Sequence, residues 1–157
     1  MTRGNLRELA LHLIYGWEFI GGDPVEVVKT RLEEEYYENL AGENEIYAER
    51  PHPKQVGYID TVVSGVSQHM EELNEIIGKF SIGWDVSRIS RLARAVLQLA
   101  IFEILYVADV PDGVAASEAV RLAKKYDGDD TGSFVNGILG AFLRSKNAPA
   151  ESVAEEV

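Results

Sequence analysis

Apolar residues recur at three- and four-residue steps along almost the whole chain, the spacing of one face of an α-helix rather than of a strand. Leu6, Leu9, Ala10, Leu13, Ile14 and Trp17 form the stripe of a first helix, which Gly21 and Gly22 should end. Asp23 before Pro24 is the pattern of an N-cap with proline at the first helical position. A short acidic helix is predicted from there to about Leu40, with Val25, Val28, Leu32 and Tyr36 inward. Residues 41–52 have no period and read as a loop. Pro53 opens a long helix whose stripe runs from Val56 to Ile77, with Gly78 as its expected stop. Trp84 and Asp85 lead into a fourth helix. Between Leu92 and Leu105 it is apolar on most faces, broken only by Arg94, Gln98 and Glu103, so other helices must surround it. A helix from about Val114 to Tyr126, the turn DGDDTG and a last helix from about Ser133 to Lys146 complete the pattern. No strand pattern or internal repeat emerges. The expected fold is all-α, a single-domain bundle of six or seven helices around a buried central one, over residues 1–148. Residues 149–157 are expected to be a disordered acidic tail.

Composition narrows the function classes. The chain has 157 residues and no cysteine, which excludes disulfides, thiolate metal sites and thiol catalysis. No run of about 18 apolar residues occurs, so no membrane partner is expected. The first residues are too mixed in polarity for a signal peptide, and a cytoplasmic location is the expectation. Net charge is −11, which taken whole disfavours a polyanionic partner. The acidity is uneven, however. Residues 23–49 carry nine acids and two bases, whereas residues 1–19 are neutral. A local basic surface therefore remains open.

Motifs for chemistry are missing. The histidines, His12, His52 and His69, lie far apart with no metal-ligand spacing. Asp127 to Thr131 starts like a calcium loop, but Ile138 stands where the twelfth-position glutamate belongs. Asp130, Thr131 and Ser133 are read instead as caps for the last helix. No phosphate-binding loop, dinucleotide fingerprint or nucleophile elbow occurs. No catalytic residue, metal or cofactor is assigned, and the chain is read as a non-enzyme. Basic residues are more suggestive. Arg3 and Arg7 share a helix face, and Arg88, Arg91 and Arg94 form a ridge. Lys124, Lys125, Arg144 and Lys146 close helices, where cations also complement the macrodipole without any ligand.

Three segments together resemble the NusB family of bacterial transcription antitermination factors: RELALHLIYGWE at 7–18, ISRLARAVLQLAIFEI at 89–104, and SEAVRLAKKY at 117–126 followed by FVNGIL at 134–139. Their order and spacing match over roughly residues 3–145. The resemblance implies a helical protein that binds boxA-type single-stranded RNA of ribosomal RNA transcripts with the ribosomal protein that doubles as NusE. It also implies a link to the RNA polymerase elongation complex through other Nus factors.

Carried over position by position, the resemblance implies RNA contacts from Arg3 and Arg7, with Lys124 and Lys125 as further phosphate contacts. Gly4 and Asn5 stand where the family usually has further basic or polar residues, and Ser133 where it often has a basic residue just before FVNG; both departures remove positive charge. Phe134 matches a position on the RNA side and either stacks on an unpaired base or packs in the core. Asp130 matches an acidic position near the RNA edge, with capping its rival role. Asn136 either reads a base or bonds neighbouring backbone. Tyr15 and Trp17 fall where the family meets NusE, Tyr15 being the better contact because Trp17 continues the core stripe. The rival readings are a protein-only NusB-like adaptor without RNA affinity, an accessory domain to a ribosomal RNA methyltransferase, and a homodimer that hides the basic residues.

Overall fold

In a computed structural model, which describes residues 1–81, 83 and 89–148, the chain forms eight α-helices and no strand among the described residues. The expectations for Trp84, Asp85, Arg88 and the tail 149–157 lie outside those residues. Helix α1 (Arg3–Ile20) begins where the Thr2 hydroxyl accepts from Asn5 N at 3.1 Å and ends at Gly21, whose φ of 74° only glycine adopts readily. Helix α2 (Pro24–Arg31) is capped by Asp23, as the Asp-Pro pair predicts. Helix α3 (Glu34–Asn39) and a 3₁₀ turn (Glu45–Ala48) follow. Helix α4 (Pro53–Gln68) opens with a capping box in which His52 and Gln55 satisfy each other's ends. Helices α5 (Met70–Phe80), α6 (Arg91–Tyr106), α7 (Asp112–Asp127) and α8 (Asp129–Lys146) complete the chain.

The helix count exceeds six or seven because two predicted helices are broken. The acidic helix stops at Arg31, where Arg50 Nη2 donates to the Leu32 carbonyl at 2.5 Å and takes it out of the helical ladder. The register then slips by one. Tyr37, not Tyr36, turns inward, and Val25 and Tyr36 are exposed. The Tyr37 hydroxyl is shared between the Ile46 carbonyl (3.2 Å) and the Glu49 carbonyl (2.6 Å), pinning the loop that lacked a period. Burial, with lesser contributions from Tyr47 and Glu49, pushes its pKa up to about 12. The long helix from Pro53 is interrupted at His69, and its continuation runs past Gly78 to Phe80. Gly78 is not among the glycines at positive φ, so it lacks the left-handed conformation of a stop.

A third correction concerns the predicted turn DGDDTG. It contracts to Gly128 alone, at φ 92°, and α8 already starts at Asp129. No side chain caps α8, so Asp130, Thr131 and Ser133 are not caps. Asp129 and Asp130 instead place carboxylates in its first turn, at the positive end of the macrodipole.

Backbone contacts divide the chain into two compact units, Met1–Glu71 and Glu72–Val157. In the first, α1 packs on α4 and α2, and α2 on α4. Leu9, Ile14, Ile59 and Val62 are fully buried there. In the second, α6, α7 and α8 pack on one another. Every residue of α6 from Ala95 to Ile104 is buried, including Gln98 and Glu103, as its near-continuous apolar run implied. Gln98 Nε2 donates to Asn74 Oδ1 at 2.9 Å. Trp17, the last member of the α1 stripe, is only half-buried, and its indole donates to the Gly22 carbonyl at 3.0 Å.

Candidate nucleic-acid interface

In the first unit, the start of α1 presents one cation to solvent. Arg3 is exposed and its guanidinium sits 4.5 Å from the centroid of the Tyr58 ring on α4. That stacking limits the rotamers of the planar group and holds its charge at the surface. Arg7 lies one turn further on but is only 3% exposed. A side chain so enclosed does not offer its charge to a phosphate, so the paired-cation expectation from the four-residue spacing reduces to Arg3. At the other end of α1, Tyr15 is 36% exposed and meets Phe19 edge-to-face, with ring centroids 5.0 Å apart. Phe19 and Ile20 are more exposed still, at 54% and 72%. An exposed cluster of this kind suits a protein contact, and Phe19 and Ile20 were not expected because they follow the predicted stripe.

In the second unit, Asp130 and Phe134 lie where three helix ends meet. Ser90 caps α6, its hydroxyl accepting from Ala93 N at 3.0 Å. The same hydroxyl donates to Asp127 Oδ2 at 3.0 Å, at the end of α7. Thr131, in the first turn of α8, donates to that oxygen at 2.9 Å. Asp127 thus ties α6, α7 and α8 together, a role its isolated place in a turn sequence does not reveal.

Beside this junction lies a hollow of about 210 Å³ lined by Ile89, Ala93, Asp130 and Phe134, among others. Asp130 and Phe134 also line a second hollow of about 540 Å³, shared with Phe80, Ser133, Gly137 and Ile138. Phe134 is half-buried: neither a closed core contact nor a free ring, it stands between two open surfaces.

Lys124 and Lys125 are exposed in the last turn of α7. The stem of Lys124 lies over Gly132 so closely that a Cβ there would collide with its Cγ, and Lys125 Nζ stands 5.6 Å from the Tyr126 ring centroid. Asn136 is exposed on α8, but about 200° around the helix from Phe134. It lines neither hollow. The structure therefore brings Asp130 and Phe134 together and leaves Asn136 on another face.

Two residues beside the larger hollow were missed. Lys79 and Phe80 end α5, and the expectation that Gly78 stops this helix placed them in a linker. Lys79 Nζ is 5.4 Å from the Phe80 ring centroid, and Phe80 meets Phe142 edge-to-face at 5.8 Å. No group of three or more His, Asp or Glu among the described residues is placed to hold a metal ion. No described helix is long and apolar enough to cross a membrane. What the second unit offers is aromatic surface, a few cations and several carboxylates at one end of a helical bundle.

The NusB family profile matches residues 4–144. A transcription antitermination protein NusB of Acetivibrio thermocellus is 40% identical over 151 residues, 96% of this chain and 94% of that protein. Its counterpart in Symbiobacterium thermophilum is 36% identical over 150 residues, with the same coverage of 96% and 94%. A solved structure of the antitermination factors NusB and NusE in complex with dsRNA superposes with a TM-score of 0.70 at 25% identity, over 91% of this chain and 96% of that one.

Proposed function

This chain belongs to the NusB family, and from that premise we propose that it is a transcription antitermination factor, an RNA-binding adaptor that acts with a NusE-type ribosomal protein. The observation that carries the reading is the match over residues 4–144 to a family with a solved complex holding both NusE and RNA. The RNA is of the boxA type, from ribosomal RNA transcripts, and the pair joins the RNA polymerase elongation complex through other Nus factors in the cytoplasm. No step of bond chemistry is assigned to the protein.

Its own residues take the following parts. Arg3 contacts a phosphate, and Lys124 and Lys125 add long-range attraction for the strand. Phe134 presents a partly open ring on which an unstacked base can lie, which favours single-stranded over duplex RNA. Arg7 holds the start of α1 from within instead of touching RNA. Tyr15, with Phe19 and Ile20, meets the NusE-type partner, and the acidic segment 23–49 steers that basic protein in. The partner in turn supplies positive surface that a chain of net charge −11 lacks.

The test is a filter-binding titration of a boxA-type RNA, single-stranded and as a duplex, across a salt series with and without the NusE-type protein. Salt-dependent binding that tightens with the partner is expected. Formation of the protein pair with no RNA binding in any condition would replace this reading by the protein-only adaptor. That rival draws support from the burial of Arg7 and from Ser133 standing beside Phe134.

A further inference from the structure

The larger hollow of the second unit has a feature that packing does not explain. Gly137 lies mid-helix in α8, exposed, with nothing within 4 Å of the place a Cβ would take. It is not at positive φ, so the backbone does not require glycine either. Glycine is among the costliest residues inside a helix. What its missing side chain does is leave open a hollow lined by two rings, Phe80 and Phe134, together with Ile138, Asp130 and Ser133.

The charges around this opening are ordered. Lys79 stands over the Phe80 ring, and no carboxylate among the described residues pairs with it. Asp130 stands at the rim with Phe134. A ligand with a flat apolar face and an anionic backbone matches this arrangement, its face against the rings and its charge toward Lys79, away from Asp130.

We propose that the hollow over Gly137 seats one unpaired nucleobase of the bound RNA, stacked against Phe80 or Phe134, while Lys79 contacts an adjoining phosphate. The inference rests on the RNA-binding reading above and adds to it three residues, Lys79, Phe80 and Gly137, with a defined stoichiometry of one base. Gly137 is the specificity-determining position, because any side chain there occupies the seat.

The test combines protein variants with RNA lacking single bases. A boxA-type single strand is titrated against wild-type protein, intact and with an abasic site at each position in turn. One abasic position is expected to weaken wild-type binding about 5- to 150-fold, the range that a stacked base contributes. Gly137→Leu should bind intact RNA more weakly by a similar factor and be indifferent to that abasic position. Lys79→Ala should lower the salt slope by about one unit. If Gly137→Leu proves less stable, Gly137→Ala serves instead, since its methyl meets no neighbour. It should raise the melting temperature and still lower affinity.

Equal binding of intact RNA by wild type and Gly137→Leu overturns the base seat and leaves the RNA-binding reading standing. Loss of NusE-type protein binding with RNA affinity unchanged assigns the hollow to a protein side chain and also overturns it. No single-stranded RNA binding by the wild type at any salt concentration removes the RNA-binding reading and the seat with it.

Discussion

Replacing Asp127 by alanine removes the carboxylate that holds three helix ends together. Its Oδ2 accepts from Ser90 at 3.0 Å and from Thr131 at 2.9 Å. Deep in a protein, two hydrogen bonds to a charged acceptor would contribute about 1.5–3 kcal/mol each. Ser90 and Asp127 are exposed, so about 0.5–1 kcal/mol apiece is the better figure. A carboxylate in the last turn of α7 opposes that helix dipole, while its position just before α8 favours the next one. Each effect is worth about 0.3–1 kcal/mol, and they cancel to first order. The net loss is about 1–2 kcal/mol, or a fall in melting temperature of about 2–8 °C for a chain of this size.

Thermal unfolding followed by circular dichroism measures it. A double-mutant cycle with Thr131→Val separates the shared bond from local effects at each site. Because Thr131 precedes Phe134 by three residues on α8, the same variant should also weaken RNA binding through loss of positioning. A change in melting temperature below 1 °C, together with zero coupling to Thr131, would show that the junction contributes nothing and refute the reasoning.

Other outcomes follow from single groups. Tyr37→Phe should lower stability by about 1–3 kcal/mol, because two carbonyls in a part-buried loop lose their donor. The folded-state pKa of Tyr37 lies above its ordinary value, so the associated stability is present below pH 10 and is lost as pH rises toward about 12; denaturant midpoints that stay flat from pH 9 to 11.5 in the wild type would contradict this. Arg3→Ala should reduce the salt slope of RNA binding by about one unit and lower the melting temperature by only about 1–4 °C, through the lost contact with Tyr58. Arg7→Ala should do the opposite, lowering the melting temperature by several degrees and leaving the slope alone, and unchanged stability would return Arg7 to the RNA-facing set. Asp130→Asn removes one negative charge from the rim of both hollows and should tighten RNA binding, most visibly at low salt.

Much of the fold was legible because helix periodicity is a local property. The buried run of α6 and the Asp23 and Pro24 start of α2 needed no information from distant residues. The breaks needed it. The end of α2 depends on Arg50 reaching the Leu32 carbonyl from eighteen residues away, and no pattern within residues 24–40 announces that bond. The inward turn of Tyr37 follows from the same break. At the candidate interface, Arg3 and Arg7 have the same spacing signal but opposite exposure, because spacing fixes only which helix face two residues share and not what covers it. Lys79 and Phe80 were hidden by one assumption, that a glycine late in a helix ends it. Phe134 was found through family resemblance, and its intermediate burial was beyond the reach of sequence.

Helix α8 carries three glycines, Gly132, Gly137 and Gly140, within residues Asp129–Lys146. Relative to alanine they cost about 2–3 kcal/mol of helix stability in all. Its hydrogen-bonded ladder is therefore held chiefly by its packing on α7 and α6, and brief openings of the helix need less free energy than unfolding of the chain. Amide protons along α8 should then exchange with solvent deuterium faster than those of α6, whose glycine-free helix is buried on nearly every side. A ligand that seats itself on α8 suppresses those openings directly. Its footprint would be read most clearly as slowed deuterium uptake in residues 129–146, even where its effect on global unfolding is small.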